Sequence, residues 1–504
     1  MSNPHRRWVL TATILASSMG FIDSTVVNIA LPALQATMGA TITDVQWVVE
    51  AYTLFLGSLM LTGGALGDRF GRKRVFLIGV LLFTAGSVAC GLSPNMSALI
   101  AFRAVQGIGA AMMVPGSLAI ISATFADDER GKAIGTWSAF TSITMVIGPL
   151  VGGTFIDHVS WRAIFFINAP LAAAVIYLTL RYVPESRETD VRPLDWAGAV
   201  LVTCGLGSLV YGLIESSTPG LAAGVALLVA FVVVEWRSSS PLLPLSLFRS
   251  AAFCGANLIT LFLYAALAGC LFFVPMNLIQ LQGFTATQAG AAMTPSVLLL
   301  FLLSRWAGAL SDRIGAKPLL IIGPTIAAGG FALFLVPGTG ANYWTTFLPA
   351  FIVLGLGMSL TVAPLTTTVM SAASRKHSGV ASGVNNAIDE IAGLLAVAVF
   401  GLVMSHAFNR ELELGLKSAN VPNEIREEIR GQELKLAAIE IPQGVDGLQR
   451  QTIAQAIEVS FLSGFRFVMV LGVGISLLSA VCAYMTLDGT RTAVTSDRLP
   501  GDDH

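Results

Sequence analysis

The sequence predicts an all-α protein that crosses a membrane many times, and three observations lead to this fold class. Of its 504 residues, 54% are hydrophobic and only 12% are charged, whereas about 25% of the residues are charged in soluble domains. The mean hydropathy is +0.75, so a soluble fold could not cover its surface with polar side chains. About fourteen apolar runs come close to the length of about 20 residues that a spanning helix needs. In addition, one charged turn occurs twice.

The repeated turn indicates that the chain consists of two related halves. Its first copy runs from Gly64 to Arg74 and its second copy from Gly308 to Lys317, each between two apolar runs. Membrane folds are often built from internal repeats, although a single turn of this kind could equally be a charged anchor at the headgroups. The candidate functional residues of the two copies are Gly64, Asp68, Arg69, Gly71, Arg72, Asp312 and Arg313.

The predicted spans form two sets of six with an additional pair between them. We expect them near residues 8–31, 45–64, 75–92, 97–117, 133–155 and 163–181, then 196–214 and 219–236, and finally 253–278, 288–309, 318–337, 346–370, 381–406 and 461–486. Because the charged turn follows the second span of each set, the middle pair is predicted to be an insertion. The predicted domains are a six-helix bundle at 1–190, two inserted helices at 191–240, a second six-helix bundle at 241–490 and a tail at 491–504.

The distribution of Lys and Arg predicts that both termini and both copies of the turn lie in the cytoplasm. Most of the basic loop residues fall on the side of the termini, while the short loops of the other side contain only Arg162. Cytoplasmic loops carry an excess of such residues. An even number of spans is required by this result, which agrees with the count of fourteen.

One long polar loop, residues 407–460, is predicted to lie outside. Within it, the stretch from Pro422 to Arg430 has an early proline followed by acidic residues, which is typical of the start of a helix. Two interpretations remain open. The loop is either a solvated excursion or a cap over the outer mouth of the protein.

Ionisable residues inside the predicted spans are candidate functional residues, because charged groups are costly in a bilayer. These residues are Asp23, Glu50, Arg103, Asp389 and Glu390. With a helical rise of 1.5 Å per residue, the first three lie about 8 to 13 Å from the outer surface, within the first bundle. Asp389 lies about 15 Å from its cytoplasmic entry, near the midplane.

Asp23 and Arg103 are predicted at similar depths, so their side chains can meet. One interpretation is a static buried ion pair. The other is that protonation of Asp23 competes with the pair, since membrane carboxylates act as proton relays.

The fifth span carries a glycine and proline pattern, formed by Gly148, Pro149, Gly152 and Gly153. Gly148 and Gly152 are one helical turn apart, which allows another helix to approach closely. Pro149 removes a backbone donor and bends the helix.

These motifs together resemble the major facilitator superfamily and, within it, the 14-helix drug:proton antiporters of the QacA and EmrB type. The charged turn from Gly64 to Arg74 matches the cytoplasmic-loop motif of that family, and Gly148 to Gly153 matches its antiporter motif. The first-helix and fourth-helix motifs are matched by Asp23, Thr25, Asn28, Ala30, Leu31 and Pro32, and by Arg103, Gln106, Gly107 and Gly109, with Ile22 in place of the usual Leu.

The resemblance implies a fold of two six-helix bundles plus two inserted helices in the plasma (inner) membrane. It also implies export of small, mostly hydrophobic drugs or toxic compounds by alternating access, driven by protons that move inward. In such families the first-helix Asp takes the proton, here Asp23, with support from Arg103, and the loop motif around Asp68 latches the halves together. Some family members that export divalent cations use an acidic residue in the tenth span, and this chain has none there.

Other functional classes find less support in the sequence. No nucleophile and base stand together in the membrane, no nucleotide-binding loop occurs, and no basic run suggests nucleic acid. None of the five cysteines has a partner at metal-ligand spacing, and we expect no metal, cofactor or ATP. The expected partners are a small-molecule substrate, protons and membrane lipid. The alternatives are a narrow exporter of one metabolite or antibiotic and a non-transporting receptor.

Overall fold

The structure, a computed structural model, describes residues 4–188, 193–372, 378–442 and 444–487. As predicted, fourteen helices in these ranges are long and apolar enough to cross a membrane. The predicted tail 491–504 and the basic loop residues Arg192, Arg375 and Lys376 lie outside the described residues.

The helices are, in chain order, α1 (Pro4–Met38), α2 (Ile42–Phe70), α3 (Arg72–Leu92), α4 (Met96–Thr124), α5 (Asp127–His158), α6 (Ala163–Phe166), α7 (Asn168–Tyr182), α8 (Trp196–Ile214), α9 (Thr218–Arg237), α10 (Ala251–Met276), α11 (Ala286–Ile314), α12 (Ala316–Leu333), α13 (Leu348–Ser371), α14 (Ser378–Ser418), α15 (Asn423–Arg430) and α16 (Gly447–Thr486). Helices α6 and α7 belong to one span, and α15 lies between spans. Short 3₁₀ segments occupy Leu245–Arg249 and Glu433–Ala438, and π-helical segments occupy Asn277–Leu281 and Tyr343–Phe347.

The internal repeat is visible in α2 and α11, which share their length and both of their ends. Each has 29 residues and begins with a capping box, in which Thr41 or Thr285 accepts a hydrogen bond from the backbone three residues later. Each ends at a single glycine, Gly71 with a φ of 109° and Gly315 with a φ of 87°. Residues with a side chain rarely adopt such a positive φ. Glycine therefore allows the chain to start the next helix after a single residue.

The helices pack as two sets with the inserted pair at their junction. In the first set, α2 and α3 pack on α4, and α1 packs on α5 and α7. In the second, α10 packs on α14 and α16, and α12 packs on α13 and α16. The sets meet where α5 contacts α11 and where α2 contacts α14. Helices α8 and α9 pack on each other, and α8 contacts both α2 and α14.

The long polar loop predicted at 407–460 is the main difference from the predicted spans. Helix α14 continues without a break to Ser418, and α16 begins at Gly447, so both ends of the predicted loop 407–460 are helical. These turns contain apolar positions such as Leu412 and Leu416, one helical turn apart in α14, and Ile453 in α16, which are buried. Packing of these positions against each other explains why the helices extend beyond the apolar runs. The predicted helix start at Pro422 is confirmed by α15.

Candidate functional site

A cavity of about 1630 Å³ lies between the two sets of helices, and we call it the central cavity. Its wall is formed by α1, α2, α4 and α5, by α13 and α14, and by the segments that flank the inserted pair. It extends from Tyr52 and Glu390 to Asp68 at the end of α2 and Arg72 at the start of α3. The central cavity therefore opens on the side of the repeated turn.

On the opposite side, α5 and α11 close the space between the two sets. A β-carbon on Gly153 would lie 2.6 Å from the carbonyl oxygen of Ala286, and one on Gly290 would lie 2.3 Å from that of Pro149. The Asp157 carboxylate also accepts hydrogen bonds from the backbone N–H groups of Ala286 and Thr287, at 2.9 and 2.8 Å. A carboxylate at a helix N-terminus is favourable, so this contact stabilises the closed arrangement.

The antiporter-like pattern of α5 has a second packing face. A β-carbon on Gly148 would lie 2.6 Å from Oγ1 of Thr25, and one on Gly152 would lie 2.3 Å from the Val26 side chain. Gly148 and Gly152 thus admit α1, while Gly153 and Pro149 face α11. Through these residues, α5 packs against α1 of its own set and against α11 of the other set.

Helices α2 and α14 form the second part of the closure. The Gln46 side-chain amide donates a 2.8 Å hydrogen bond to the carbonyl oxygen of Val397. A β-carbon on Gly401 would lie only 1.9 Å from that same amide nitrogen. Glycine at this position is therefore what allows the Gln46 side chain to reach α14, and sequence reasoning missed both residues. We call the α5–α11 and α2–α14 contacts together the outer seal.

Residues 419–442 and 444–446, which include α15 and the 3₁₀ segment, lie over the outer seal and form what we call the outer cap. The 3₁₀ segment contacts α1, α2, α14, α16 and the π-helical segment Asn277–Leu281. Its residue Leu436 is 1% exposed and has a φ of 53°, a conformation that costs about 1–3 kcal/mol for a residue with a side chain. These contacts with both sets favour the cap interpretation over the solvated excursion.

The predicted meeting of Asp23 and Arg103 is found in the structure. Nη1 of Arg103 lies 2.5 Å from Oδ2 of Asp23, and both side chains are 1% exposed. The Gln106 amide donates to Oδ1 of Asp23 at 2.7 Å, and its oxygen accepts from Arg103 at 2.8 Å. Nε of Arg103 donates to the carbonyl oxygen of Val48. The two charged groups are hydrogen-bonded to each other and to neutral partners. Neither charge is therefore buried without a partner in this conformation.

Tyr52 separates this ion pair from the central cavity. The Arg103 guanidinium lies 4.3 Å from the centre of the Tyr52 ring, an arrangement that attracts a cation to the ring face. Tyr52 lines the central cavity, whereas neither Asp23 nor Arg103 does. Sequence reasoning missed Tyr52, because an aromatic residue in an apolar span carries no distinguishing signal.

Glu50 is not brought to the ion pair. Its side chain is 0% exposed, and neither carboxylate oxygen has a hydrogen-bond partner within the described ranges. It lies one turn from Gln46 and two turns from Gly57, and both of these residues touch α14. Glu50 therefore belongs to the helix face that forms the outer seal.

Asp389 and Glu390 line the central cavity from α14. A β-carbon on Gly57 would lie 2.9 Å from Cβ of Glu390, so the acidic pair sits where α2 and α14 pack closely. One turn earlier, the Asn385 amide donates to Oδ1 of Asn257 at 3.0 Å and to Oγ1 of Thr260 at 2.7 Å. These bonds tie α14 to α10 beside the acidic pair.

The first charged turn is held within its own set of helices. Arg72 contacts Asp68 at 2.8 Å and Glu188 at 3.3 Å. The backbone N–H of Arg72 donates to the carbonyl oxygen of Ser186, and that of Glu188 donates to the carbonyl oxygen of Asp68. The Arg69 guanidinium lies over the Phe70 ring, and Gly64 faces Pro115 of α4. The segment after α7 therefore binds the turn, a role that nothing in the sequence of 183–188 indicated.

The second copy of the turn differs from the first in its contacts. Within the ranges that the structure describes, no ion pair or hydrogen bond is recorded for the side chains of Asp312 and Arg313, which are exposed. The repeat therefore preserves the backbone break at Gly315 and not the ion-pair arrangement.

Comparison with known proteins identifies related sequences and folds. A sequence profile of the Major Facilitator Superfamily matches residues 13–397. The multidrug resistance protein Stp of Mycobacterium tuberculosis is 34% identical over 83% of this chain and 80% of its own length. The tetracenomycin C resistance and export protein of Streptomyces glaucescens is 30% identical over 98% of this chain and 94% of its own length.

Solved structures support the fold. One similar structure is that of a bacterial homologue of the human lysosomal transporter Spinster, in an inward-facing and unoccupied conformation. It matches with a TM-score of 0.67 and 19% sequence identity, and the match covers 96% of this chain and 98% of that one.

Proposed function

The chain belongs to the major facilitator superfamily, and from this premise we propose that it is a proton-coupled antiporter. It exports small, mostly hydrophobic drugs or toxic compounds across the plasma membrane by alternating access. The observation that carries this proposal is the central cavity, which is open at the repeated turn and closed by the outer seal. A multi-pass membrane protein with such a cavity holds a substrate site that faces one side at a time.

The direction of transport rests on the orientation of the chain. The excess of Lys and Arg in the loops on the side of the repeated turn supports a cytoplasmic position for that side. With this orientation, the structure corresponds to the conformation that is open to the cytoplasm, in which an exporter takes up its substrate.

The size and lining of the central cavity support a substrate range wider than one compound. Ligand sites for drug-sized molecules usually measure about 300–1,000 Å³, and this cavity measures about 1630 Å³. Its lining combines apolar side chains such as Leu56 and Met60 with aromatic Trp137 and with the acidic pair Asp389–Glu390. Relatives named for multidrug resistance agree with this proposal.

Proton coupling is assigned to Asp23, with Asp389 and Glu390 as the acids that meet the substrate. In the cytoplasm-open conformation Asp23 is bound to Arg103 and Gln106, and both partners donate their hydrogen bonds to its carboxylate oxygens. Protonation from outside would remove the charge that holds Arg103 and would favour the other conformation. One proton that moves inward supplies about 2.3 kcal/mol per 100 mV, which supports a substrate gradient of about 50-fold.

A narrow exporter is the second candidate function. It is favoured by the relative that aligns over 98% of this chain, because that protein is named for resistance to tetracenomycin C and its export. The two candidates differ only in how many compounds the central cavity accepts.

Efflux from proteoliposomes tests both candidates. The full chain is reconstituted, a pH gradient is imposed, and efflux of a panel that includes ethidium, Nile red and tetracycline is followed. Gradient-driven efflux of several compounds supports the multidrug exporter, and efflux of one supports the narrow exporter. If no compound moves with the gradient while at least one binds, proton-coupled export is wrong and a receptor becomes the better interpretation.

A further inference from the structure

Glu50 is a fully buried acidic residue inside the outer seal, and its carboxyl group has no partner. Its side chain is 0% exposed, and both Oε1 and Oε2 lack a hydrogen bond with the residues that the structure describes. Arg103 of the same set of helices does not compensate it, since the guanidinium binds Asp23 and Gln106 instead. A negative charge on Glu50 would therefore be enclosed without a donor or a cation beside it in this part of the chain.

The surroundings of Glu50 are an apolar contact of three helices. Trp47 and Leu54, three residues before and four residues after Glu50, belong to an apolar cluster in which α2 meets α8 and α14. Positions three and four apart lie on the same side of a helix, so Glu50 points toward this cluster. The stretch of α14 that faces α2 here, from Ile391 to Gly401, contains only apolar residues and glycine. Glu50 thus lies where the outer seal meets the inserted helix pair.

The ionisable groups of α8 and α14 lie to either side of Glu50. On α8, Glu215 accepts a 3.2 Å hydrogen bond from Nε1 of Trp47, and the Tyr211 ring also contacts Trp47. On α14, Glu390 lies against Gly57, two turns away from Glu50 on the side of the central cavity. All of these groups are acidic, so none of them stabilises an ionised Glu50.

The other elements that contact α2 are α1, α3, α4 and the 3₁₀ segment of the outer cap. The charged groups of α1 and α4 in this region are Asp23 and Arg103, which bind each other. The charged residues of α3, at 72–74, lie at its start beside the repeated turn. In the 3₁₀ segment, Glu433 and Lys435 form ion pairs within the outer cap. No neighbouring element of the described chain therefore supplies a counter-charge to Glu50.

A carboxyl group in such a place is neutral. An ionised carboxylate that is buried without a partner is so costly that the group takes up a proton instead. When the outer seal opens, α14 moves away from α2 and water reaches the side chain, which removes the cost of the charge. The closed seal then binds one more proton than the open seal, so acid favours closure.

We propose that Glu50 is a proton-binding site of the outer seal, which closes around the protonated carboxyl group and opens around the ionised one. The proton enters from the outside, because the seal opens to that side. Protonation of the closed seal does not require transport. The place of this step in the cycle rests on the proposed function: an external proton allows the chain to close behind the released substrate and to return to the cytoplasm-open conformation.

Infrared spectroscopy of the full chain in nanodiscs tests the protonation of Glu50. The C=O stretch of a protonated carboxyl group differs in frequency from the bands of a carboxylate and of an amide. We expect this band at neutral pH in the spectrum of the unmodified chain and its loss in Glu50→Gln. In Glu50→Asp the band should persist at a shifted frequency. Glu215→Gln, which removes an exposed carboxylate of α8, is the matched control and should leave the band in place.

Spin labels at His158 and Gln288, in a background without the native cysteines, test the link to the seal. They report on the α5–α11 contact and do not disturb the surroundings of Glu50. Relative to Glu50→Gln, the closed-to-open ratio of the unmodified chain should rise by up to about 10-fold for each unit by which the pH falls, which is the limit for one linked proton. The comparison is made between variants at equal pH, because acid acts on Asp157 in the opposite direction.

Absence of the carboxyl band, or the same pH dependence of the seal in the unmodified chain and in Glu50→Gln, overturns this proton site. If Glu50→Gln does not fold, Glu50→Asp decides: a shifted band supports the site, and an unchanged spectrum contradicts it. Both measurements use the chain without substrate. A lack of gradient-driven efflux therefore contradicts the proposed function and not the protonation of Glu50.

Discussion

Nη1 of Arg103 donates to Oδ2 of Asp23 at 2.5 Å, between two side chains that are 1% exposed, and the Tyr52 ring covers the pair toward the central cavity. The ion pair joins α1 to α4 at a depth where water has no direct access. Any change in the charge of Asp23 would therefore change the packing of two helices, and in the proposed function this links protonation to the conformational change.

Asp23→Asn should abolish gradient-driven efflux in proteoliposomes while substrate binding stays measurable. The amide keeps the size of the side chain but cannot take up a proton, and it leaves the buried charge of Arg103 uncompensated. Breaking a buried pair in this way costs about 3–5 kcal/mol, so the melting temperature should also fall. The double variant Asp23→Asn with Arg103→Gln should recover stability without recovering efflux. Full efflux by Asp23→Asn would move the coupling role to Asp389 and Glu390.

Asp157→Asn should weaken the outer seal. The carboxylate accepts two backbone hydrogen bonds from the first turn of α11, and the amide can accept with only one of its atoms. We expect spin labels at His158 and Gln288 to report a larger fraction of long distances by pulsed electron resonance. Glu215→Gln, which changes a carboxylate at the outer end of the inserted pair, is the matched control. An unchanged distance distribution would mean that glycine packing alone closes this side.

Leu436→Gly should open the outer cap. Glycine adopts a positive φ without cost, so the variant removes the buried side chain and relieves the backbone at the same time. We expect faster modification of a cysteine placed at Ala40, which is 2% exposed, by a membrane-impermeant maleimide, in a background without the five native cysteines. Leu434→Gly is the control, because Leu434 is 46% exposed. Equal rates in both variants would show that the cap does not restrict access.

Asp68→Asn should reduce transport severalfold while expression stays near normal. In this conformation Asp68 orients Arg72, which also contacts Glu188, so the amide should loosen the turn and shift the balance between conformations. Asp312→Asn alters the corresponding residue of the second copy, which is exposed and forms no ion pair or hydrogen bond with the residues that the structure describes, and should have a smaller effect. If the two variants transport equally well, the turn serves only as an anchor at the headgroups.

The orientation predicts which side of the membrane two surface positions face. A cysteine at Ser418 should react with an impermeant reagent added to intact cells, and a cysteine at Lys73 should react only after the membrane is opened. The excess of Lys and Arg on the side of Lys73 is the reason for this expectation. The opposite labelling pattern would show that the chain has the reverse orientation. The direction of transport in the proposed function would then be wrong.

The fold could be predicted from the sequence because its causes are local. Apolar runs define spanning helices, and the repeated turn identifies the two related sets, which α2 and α11 confirm at both of their ends. The meeting of Asp23 and Arg103 followed from depth along two helices. Depth alone does not give the rotation of a helix, and this is why Glu50, at a similar depth, points instead toward α14. The boundaries of the predicted domains stay predictions.

The residues of the outer seal and of the cap could not be predicted, because they depend on contacts between distant parts of the chain. In the sequence, Gln46 is an ordinary polar residue near a helix end. Its contact with α14 depends on Gly401, which is far along the sequence and leaves space for its side chain. In the sequence, Asp157 is an acidic residue at a helix end, where solvent exposure is expected. Only the fold places the first turn of α11 beside it. The positive φ of Leu436 has no sequence signal either, since leucine is not a residue that favours such angles.

Helix α14 is a continuous rod of 41 residues without a proline, whereas proline interrupts α10, α11, α12 and α13. Its length is therefore about 60 Å, and about 44 Å separates Asp389 from Ser418 at its outer tip. A helix without a kink transmits tilt along its whole length, so a rotation of about 10° about Asp389 displaces that tip by about 8 Å. The acidic pair thus acts as the pivot of a lever, and a small tilt of α14 beside the central cavity becomes a displacement larger than a helical turn at the end that carries the outer cap.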